Sequence, residues 1–121
     1  MSSKWDEYVE RGATAFQEGK YSEAENFLHA ALMEAETGQD EMQVALSLDN
    51  LAEVYFEQGK YDKAEPLYQR SLRIRERVLE PEHEDIVASL NNLSALYFFQ
   101  EKHADAEPLC RQLTAIYEKV L

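Results

Sequence analysis

Apolar residues recur along most of the chain at the three- and four-residue spacing of an amphipathic α-helix. The clearest case is the stretch Ala45 to Glu80, in which two such runs flank the segment Gln58-Gly59-Lys60-Tyr61. The first run consists of Leu48, Leu51, Ala52, Tyr55 and Phe56, and the second of Ala64, Leu67, Tyr68, Ser71, Leu72 and Ile74. Gly59 stands where the first helix has to end. The stretch is therefore predicted to be a hairpin of two helices, each of which buries one face.

The predicted helix starts carry pairs of polar residues with the spacing of N-terminal caps. In such a pair, the first side chain accepts a hydrogen bond from the backbone of a residue three positions later. Four pairs have this spacing: Ser3 with Asp6, Ser22 with Glu25, Asp40 with Gln43, and Asp62 with Glu65. Each pair is predicted to begin a helix, and the last helix is predicted to run from Asp105 to Leu121.

The hairpin pattern occurs three times. A shift of forty residues towards the start aligns Gly19-Lys20-Tyr21 with Gly59-Lys60-Tyr61, and a shift of forty-two towards the end aligns Ala106-Glu107-Pro108-Leu109 with Ala64-Glu65-Pro66-Leu67. Small residues recur at equivalent places, where two helices can approach closely: Gly12, Ala52 and Ser94 on the first helices, and Ala24, Ala64 and Ala106 on the second. Self-similarity at such a period predicts a stack of helical repeats.

Two local features depart from the simplest version of this pattern. The third turn, Gln100-Glu101-Lys102-His103, has no glycine, so a non-glycine residue must become left-handed there or the turn must change type. We expect this turn to be the least regular of the three. Pro66 and Pro108 fall inside second-helix patterns and are predicted to lie in the first turn, where proline is tolerated.

The combined pattern resembles the tetratricopeptide repeat (TPR). The resemblance covers nearly the whole chain, and the repeat of about 40–42 residues, with Leu90-Asn91-Asn92-Leu93 and Val78-Leu79-Glu80-Pro81, looks like the kinesin-light-chain type rather than the usual period of about 34 residues. It implies an all-α fold, a right-handed α–α superhelix of three helix pairs. It also implies a single domain over residues 1–121, with repeats at about 3–37, 40–80 and 83–121.

Charge narrows the classes of partner. The 121 residues include 24 acidic and 12 basic side chains, which gives a net charge of −12. Nucleic acids and anionic membrane surfaces need clustered Lys and Arg, so neither is expected as a partner. The sequence has no long apolar run, so neither a membrane span nor a signal peptide is predicted. The one cysteine cannot form an internal disulfide, which fits a reducing compartment, and we expect a cytoplasmic protein.

The sequence offers no catalytic or metal-binding pattern. His83 and His103 lack metal-ligand spacing and are interpreted as helix-start and turn residues, and Cys110 as a small core residue. The basic run Arg70, Arg73, Arg75 and Arg77 is interpreted as a solvated convex face with local ion pairs to Glu76 and Glu80. We therefore expect a non-enzymatic protein without a cofactor or a metal.

The resemblance to TPR proteins implies that the first helices line a concave groove that takes an extended or helical peptide. The predicted groove residues are Glu10, Asp49, Asn50, Glu53, Glu57, Asn91, Asn92 and Phe99. Asn50 and Asn92 match an asparagine that recurs in the family and can hold a peptide backbone. No predicted groove position is Lys or Arg, which argues against a clamp for a C-terminal carboxylate. The groove is acidic towards its N-terminal end and apolar near Phe99, so the predicted ligand combines basic and apolar side chains.

An alternative function is self-assembly. The last helix has a wide apolar stripe, and no further helix of the sequence covers it, so we expect either that the chain is a fragment of a longer array or that another molecule covers this end. Four residues of this stripe are predicted to be exposed and to form a homodimer or a larger homo-oligomer: Leu113, Ile116, Tyr117 and Leu121.

Overall fold

The structure is a computed structural model that describes residues 3–120, which form six α-helices joined by short turns. The helices are α1 (Lys4–Gln17), α2 (Tyr21–Thr37), α3 (Glu41–Glu57), α4 (Tyr61–Val78), α5 (Glu84–Phe99) and α6 (His103–Val120). Each helix packs mainly on its neighbour in sequence, so three hairpins stack in chain order. The predicted all-α repeat fold is confirmed.

The turn within each hairpin has the same backbone. Gly19 and Gly59 have φ angles of 75° and 74°, and Glu101 takes the equivalent left-handed conformation at 60°. The Glu101 N–H donates to the Phe98 carbonyl over 3.0 Å, the same distance as from Gly59 to Phe56. The third turn is therefore as regular as the second, and the prediction that it is the least regular is wrong. The chain keeps the turn type and accepts a strained residue in it.

Two of the four predicted caps are confirmed. Ser3 and Asp40 accept hydrogen bonds from the backbone N–H groups of Asp6 and Gln43. The caps at Ser22 and Asp62 are wrong: α2 and α4 begin two residues earlier than these caps imply, and their N-cap residues, Lys20 and Lys60, make no side-chain cap. The left-handed glycine returns the chain so sharply that the residue after the lysine is already helical. The left-handed Glu101 has the same effect, so α6 begins at His103 instead of Asp105.

The prolines lie deeper in their helices than predicted. Pro66 is in the sixth position of α4 and Pro108 in the sixth position of α6, so both are past the first turn. Both helices continue through them. Each proline lacks the N–H that would bond to the carbonyl four residues earlier, so these helices each lose one internal hydrogen bond.

Small residues set the distance between packed helices, as the repeat pattern predicts. Ala24, Ala64 and Ala106 on the second helices have no exposed surface. On α1, a side-chain carbon added to Gly12 would lie 2.8 Å from the Leu28 side chain of α2. A larger residue at this position would therefore force the Leu28 side chain to move.

Charged pairs connect neighbouring hairpins on the outer surface. Arg70 of α4 pairs with Glu36 of α2 over 2.9 Å, and Lys102 pairs with Glu65 of α4 over 3.1 Å. Within the second hairpin, Arg77 of α4 pairs with Glu41 of α3. The predicted local pairs to Glu76 and Glu80 are wrong, because these arginines reach across to other helices instead.

Candidate functional site

A groove of about 430 Å³ lies between α3 and α5, with α4 as its floor. Its lining comes from three helices: Leu46, Asp49, Asn50, Glu53, Phe56 and Glu57 of α3, Tyr68 and Arg75 of α4, and Asp85, Ala88, Asn92 and Ala95 of α5. The α3 residues recur at the three- and four-residue spacing of one helix face, which is why they meet in one surface.

A second cavity of about 250 Å³ continues this surface towards α1. Val9, Ala13 and Gln17 of α1 line its far side. Asn50 and Glu53 line both cavities. The two cavities therefore form one continuous groove along the first helices of the three hairpins, with Asn50 and Glu53 at its middle.

The structure brings five of the eight predicted groove residues together: Asp49, Asn50, Glu53, Glu57 and Asn92. Phe99 lies beside them. Its ring is 63% exposed and stands edge-on to the Phe56 ring, with 5.1 Å between ring centroids, and it also neighbours Tyr61. Phe56 lines the groove, so the exposed aromatic surface of Phe99 extends it at the last turn of α5.

Two predicted residues lie elsewhere. Asn91 is exposed but is not among the lining residues. Glu10 lines a separate cavity on the other side of α1, beside Arg11 and Phe27. The repeat itself explains the position of Glu10. Its equivalent, Asn50 of α3, faces α1, the first helix of the hairpin before it. Among the described residues no hairpin comes before α1, so Glu10 has no such helix to face.

Arg75 belongs to the groove, and its predicted place on a solvated convex face is wrong. The residue is only 6% exposed. Its guanidinium pairs with the Asp49 carboxylate of α3 over 2.7 Å and donates to the Ser89 hydroxyl of α5 over 2.6 Å. It also donates to the Asp85 backbone carbonyl over 3.2 Å. One side chain thus connects α3, α4 and α5 beneath the groove.

The sequence contained a signal for this position of Arg75. It follows Ser71 by four residues and Tyr68 by seven, so it shares their buried helix face. The run of four arginines suggested a single solvated surface, but residues spaced by two do not share a helix face. Arg75 therefore points inward while Arg73 and Arg77 remain exposed.

The groove is strongly acidic. Four carboxylates line it, from Asp49, Glu53, Glu57 and Asp85, against the one guanidinium of Arg75. Burial raises the pKa of Asp49, with the charge of Arg75 opposing that rise. Partial burial, and then the charge of Glu57, raises the pKa of Glu53. These shifts show that the groove holds negative charge at an energetic cost.

The residues considered for chemistry have structural positions. The His83 ring accepts a hydrogen bond from the Asp85 N–H and so caps α5, and the His103 ring packs on Phe98. Cys110 is partly buried on α6. Within residues 3–120, no group of three or more His, Cys, Asp or Glu side chains is arranged to hold a metal ion.

The predicted self-association stripe on α6 is largely internal. Leu113 and Ile116 are 8% and 7% exposed, because they are the residues that pack α6 on the core, so the expectation that they are exposed is wrong. Tyr117 and Val120 are 45% and 60% exposed. Leu121 lies outside the described residues. The accessible apolar surface of α6 is thus smaller than the sequence suggests.

Among the six helices of residues 3–120, none combines the length and the apolar composition that a membrane crossing requires.

Comparisons with solved structures show the same fold in other proteins. The chain superposes over its whole length on TPR-like repeats of a kinesin light chain of Podosopora anserina, with a TM-score of 0.84 and 23% identity. It superposes over 93% of its length on BtubC (BKLC) of P. vanneervenii, also with a TM-score of 0.84 and 23% identity. The chain spans 59% and 45% of these two proteins. No curated protein gives a significant sequence match.

A family model gives the sequence-level assignment. The model described as tetratricopeptide repeat matches residues 42–119, which include all of α4 and α5 and nearly all of α3 and α6. Repeats of this family mediate protein–protein interactions, and the fold is typically non-catalytic. The stacked hairpins, the family model and the structural neighbours agree, and the chain belongs to the tetratricopeptide repeat family, with a fold of the kinesin-light-chain type.

Proposed function

We propose that the chain is a non-catalytic interaction module whose groove binds a partner segment that combines basic and apolar side chains. The observation that carries this proposal is the charge of the groove. Glu53 and Glu57 lie one helical turn apart on α3, both are exposed, and Arg75 is already paired with Asp49. A basic segment gains attraction from these carboxylates, and an acidic one is repelled.

Two asparagines provide contacts that do not depend on the ligand sequence. Asn50 and Asn92 line the groove from α3 and α5. An asparagine amide offers two donors and an acceptor, so it can pair with the N–H and C=O groups of a peptide unit. These residues would hold the ligand backbone while the acidic and apolar surfaces select its side chains.

The apolar end of the groove favours a hydrophobic side chain. Ala95 lines it from α5, and Phe56 and Phe99 add an aromatic edge. Phe99 is 63% exposed, so a bound aliphatic or aromatic side chain would remove apolar surface from water. This end supports the apolar part of the proposed ligand.

The proposal is tested with short fluorescent peptides that differ only in charge, measured by fluorescence polarisation. Basic–apolar peptides are expected to bind, and acidic–apolar peptides of the same length are not. Asn50→Ala combined with Asn92→Ala should weaken binding about tenfold or more, because two backbone contacts are lost. Asn91→Ala is the matched control, because Asn91 is exposed but does not line the groove. Equal binding of acidic and basic peptides, or no effect of the double substitution in a folded protein, would contradict the proposal.

Self-association through α6 is the second candidate, and it is favoured by the exposure of Tyr117 and Val120. Sedimentation equilibrium over a range of concentrations tests it. A dimer that Tyr117→Glu converts to monomer would support association through α6, and a monomer throughout the range would rule it out.

A further inference from the structure

The middle of the groove contains polar groups that have no hydrogen-bond partner within the described part of the chain. Tyr68 is only 6% exposed and lines the groove, yet its hydroxyl makes no hydrogen bond to any residue in the described part of the chain. One oxygen of Asp49, Oδ1, is enclosed beside the Ser71 hydroxyl and has no hydrogen bond of normal geometry. Buried polar groups are normally paired, so their exceptions call for an explanation.

We propose that these groups, together with Glu53 and Glu57, form a seat for one cationic side chain of the bound partner, an arginine in preference to a lysine. The cation seat is defined by Asp49, Glu53, Glu57 and Tyr68. This inference rests on the proposed function of the groove and specifies the ligand chemistry at its centre.

The unpaired groups match the chemistry of a cation. Carboxylate oxygens only accept hydrogen bonds, and the Tyr68 oxygen can accept as well. The three carboxylates surround the Tyr68 hydroxyl closely enough that their charges add to burial in raising its pKa. A cationic donor placed among these groups would satisfy several acceptors at once with charge-assisted hydrogen bonds.

The chain's own cations leave the seat available. Arg75 is held by Asp49 Oδ2, Ser89 and the Asp85 carbonyl, so a ligand cation need not break that ion pair. Neither Glu53 nor Glu57 forms an ion pair with a residue in the range 3–120. A ligand cation would therefore add to the existing contacts.

The spacing of the acids favours an organic cation over a metal ion. They are not close enough together to form a metal site among residues 3–120. A guanidinium is larger, planar and carries five N–H donors, so it can reach several separated acceptors. The aromatic rings of Phe56 and Tyr68 also line the groove, and a guanidinium stacks on such rings better than an ammonium does.

The experiment uses one short peptide with a central arginine followed by leucine, in four versions at the central position: arginine, lysine, citrulline and glutamate. Citrulline has nearly the shape of arginine without its charge. We expect the arginine peptide to bind most tightly, the lysine peptide less tightly, the citrulline peptide at least about tenfold more weakly than arginine, and the glutamate peptide not at all. Dissociation constants from fluorescence polarisation give the comparison.

Two protein variants locate the cation. Tyr68→Phe removes the unpaired hydroxyl and keeps the ring, so the fold should stay intact by circular dichroism, and affinity for the arginine peptide should fall about fivefold. Glu53→Gln should reduce it about tenfold. The matched controls are Tyr117→Phe and Glu80→Gln, which make the same chemical changes at exposed positions outside the groove, and neither should matter.

The outcomes separate the cation seat from the groove itself. If arginine and citrulline peptides bind equally, or if Tyr68→Phe and Glu53→Gln act no differently from their controls, the seat is wrong. In that case the groove function would still hold if the peptides bind the wild-type protein and fail to bind the protein with both Asn50→Ala and Asn92→Ala. If no peptide binds, both proposals are overturned. The citrulline peptide and the Glu53→Gln protein can also be combined. If each change alone weakens binding strongly but the two together weaken it by less than the sum of their free energies, the peptide arginine and Glu53 act in the same contact.

Discussion

Glu101 shows how a single residue can carry strain that the repeat does not require. Its φ angle of 60° is in the left-handed region, where Gly19 and Gly59 stand in the other two hairpins. A side chain makes this conformation unfavourable by about 1–2 kcal/mol, and glycine avoids the cost. The turn hydrogen bonds are nevertheless the same as at Gly59, so the strain is confined to the residue.

Substitutions at Glu101 and at Gly59 should therefore have opposite effects on the free energy of unfolding. Glu101→Gly is expected to stabilise the protein by roughly 0.5–1 kcal/mol, since the gain at the turn exceeds the entropy that glycine adds to the unfolded chain. Gly59→Ala should destabilise it by about 1 kcal/mol. Urea unfolding followed by circular dichroism measures both. A loss of stability in Glu101→Gly would mean that the Glu101 side chain contributes more than its strain costs.

The buried ion pair of Arg75 and Asp49 leads to a second prediction at this scale. Arg75→Met leaves the Asp49 carboxylate buried without a counter-charge and should cost about 3–5 kcal/mol. Adding Asp49→Leu should recover most of that loss, because the remaining pair is apolar and similar in volume. The exposed neighbour Arg73 provides the control, and Arg73→Met should change unfolding by less than about 0.5 kcal/mol. A double variant no more stable than Arg75→Met would contradict this account.

At the scale of the helix, the sequence predicted what depends on local periodicity. The apolar spacing located all six helices, and the polar residues before α1 and α3 located their starts correctly. The caps at Ser22 and Asp62 failed because the left-handed turn already fixes the chain direction, so α2 and α4 need no side-chain cap. The turn between the two helices of each hairpin therefore sets where the second helix begins, and a cap motif alone contains no information about that turn.

The groove was partly predictable for a similar reason. Residues of α3 were found because their spacing puts them on one face. Arg75 was missed because its partners, Asp49 and Ser89, come from two other helices. Glu10 was misplaced because its role depends on a preceding helix, which equivalence between repeats does not supply. Periodicity specifies a face of a helix but not what packs against it.

Pro66 provides a prediction about a whole helix. As the sixth residue of α4 it removes one internal hydrogen bond, and it is exposed, so the ring has little packing to lose. Pro66→Ala should restore the bond to the Asp62 carbonyl and raise stability by about 1 kcal/mol or more. Pro81→Ala, in the loop before α5, should not stabilise the protein. An unchanged or lower melting temperature in Pro66→Ala would mean that α4 accommodates the ring at no cost.

For the whole molecule, acidity links stability to pH. Burial raises the pKa values of Asp49 and Glu53 above their ordinary values, so the folded chain holds these protons to higher pH than the unfolded chain. The free energy of unfolding therefore falls as pH rises through the folded-state pKa values. Repulsion within a net charge of −12 acts in the same direction.

Lowering the pH from neutral towards the ordinary carboxylate pKa of about 4 should thus raise the melting temperature, because these two groups gain protons first in the folded chain. Thermal unfolding by circular dichroism at low protein concentration measures this effect. Glu53→Gln removes one of the two groups and should make the pH dependence shallower, whereas Glu80→Gln, at an exposed position outside the groove, should not. A melting temperature that falls across the same interval would contradict the assignment.

The stacking of hairpins in chain order also determines how the chain folds. Helices pack mainly on their sequence neighbours, so most contacts close short loops, and folding should be fast for a chain of this length. Opening can begin at either end without disturbing the other. Arg75 links α3, α4 and α5, so the central helices should exchange their amide hydrogens most slowly, and α1 and α6 soonest. A partner lying along the groove would contact α3 and α5 together, and it would protect most strongly the part of the molecule that opens last.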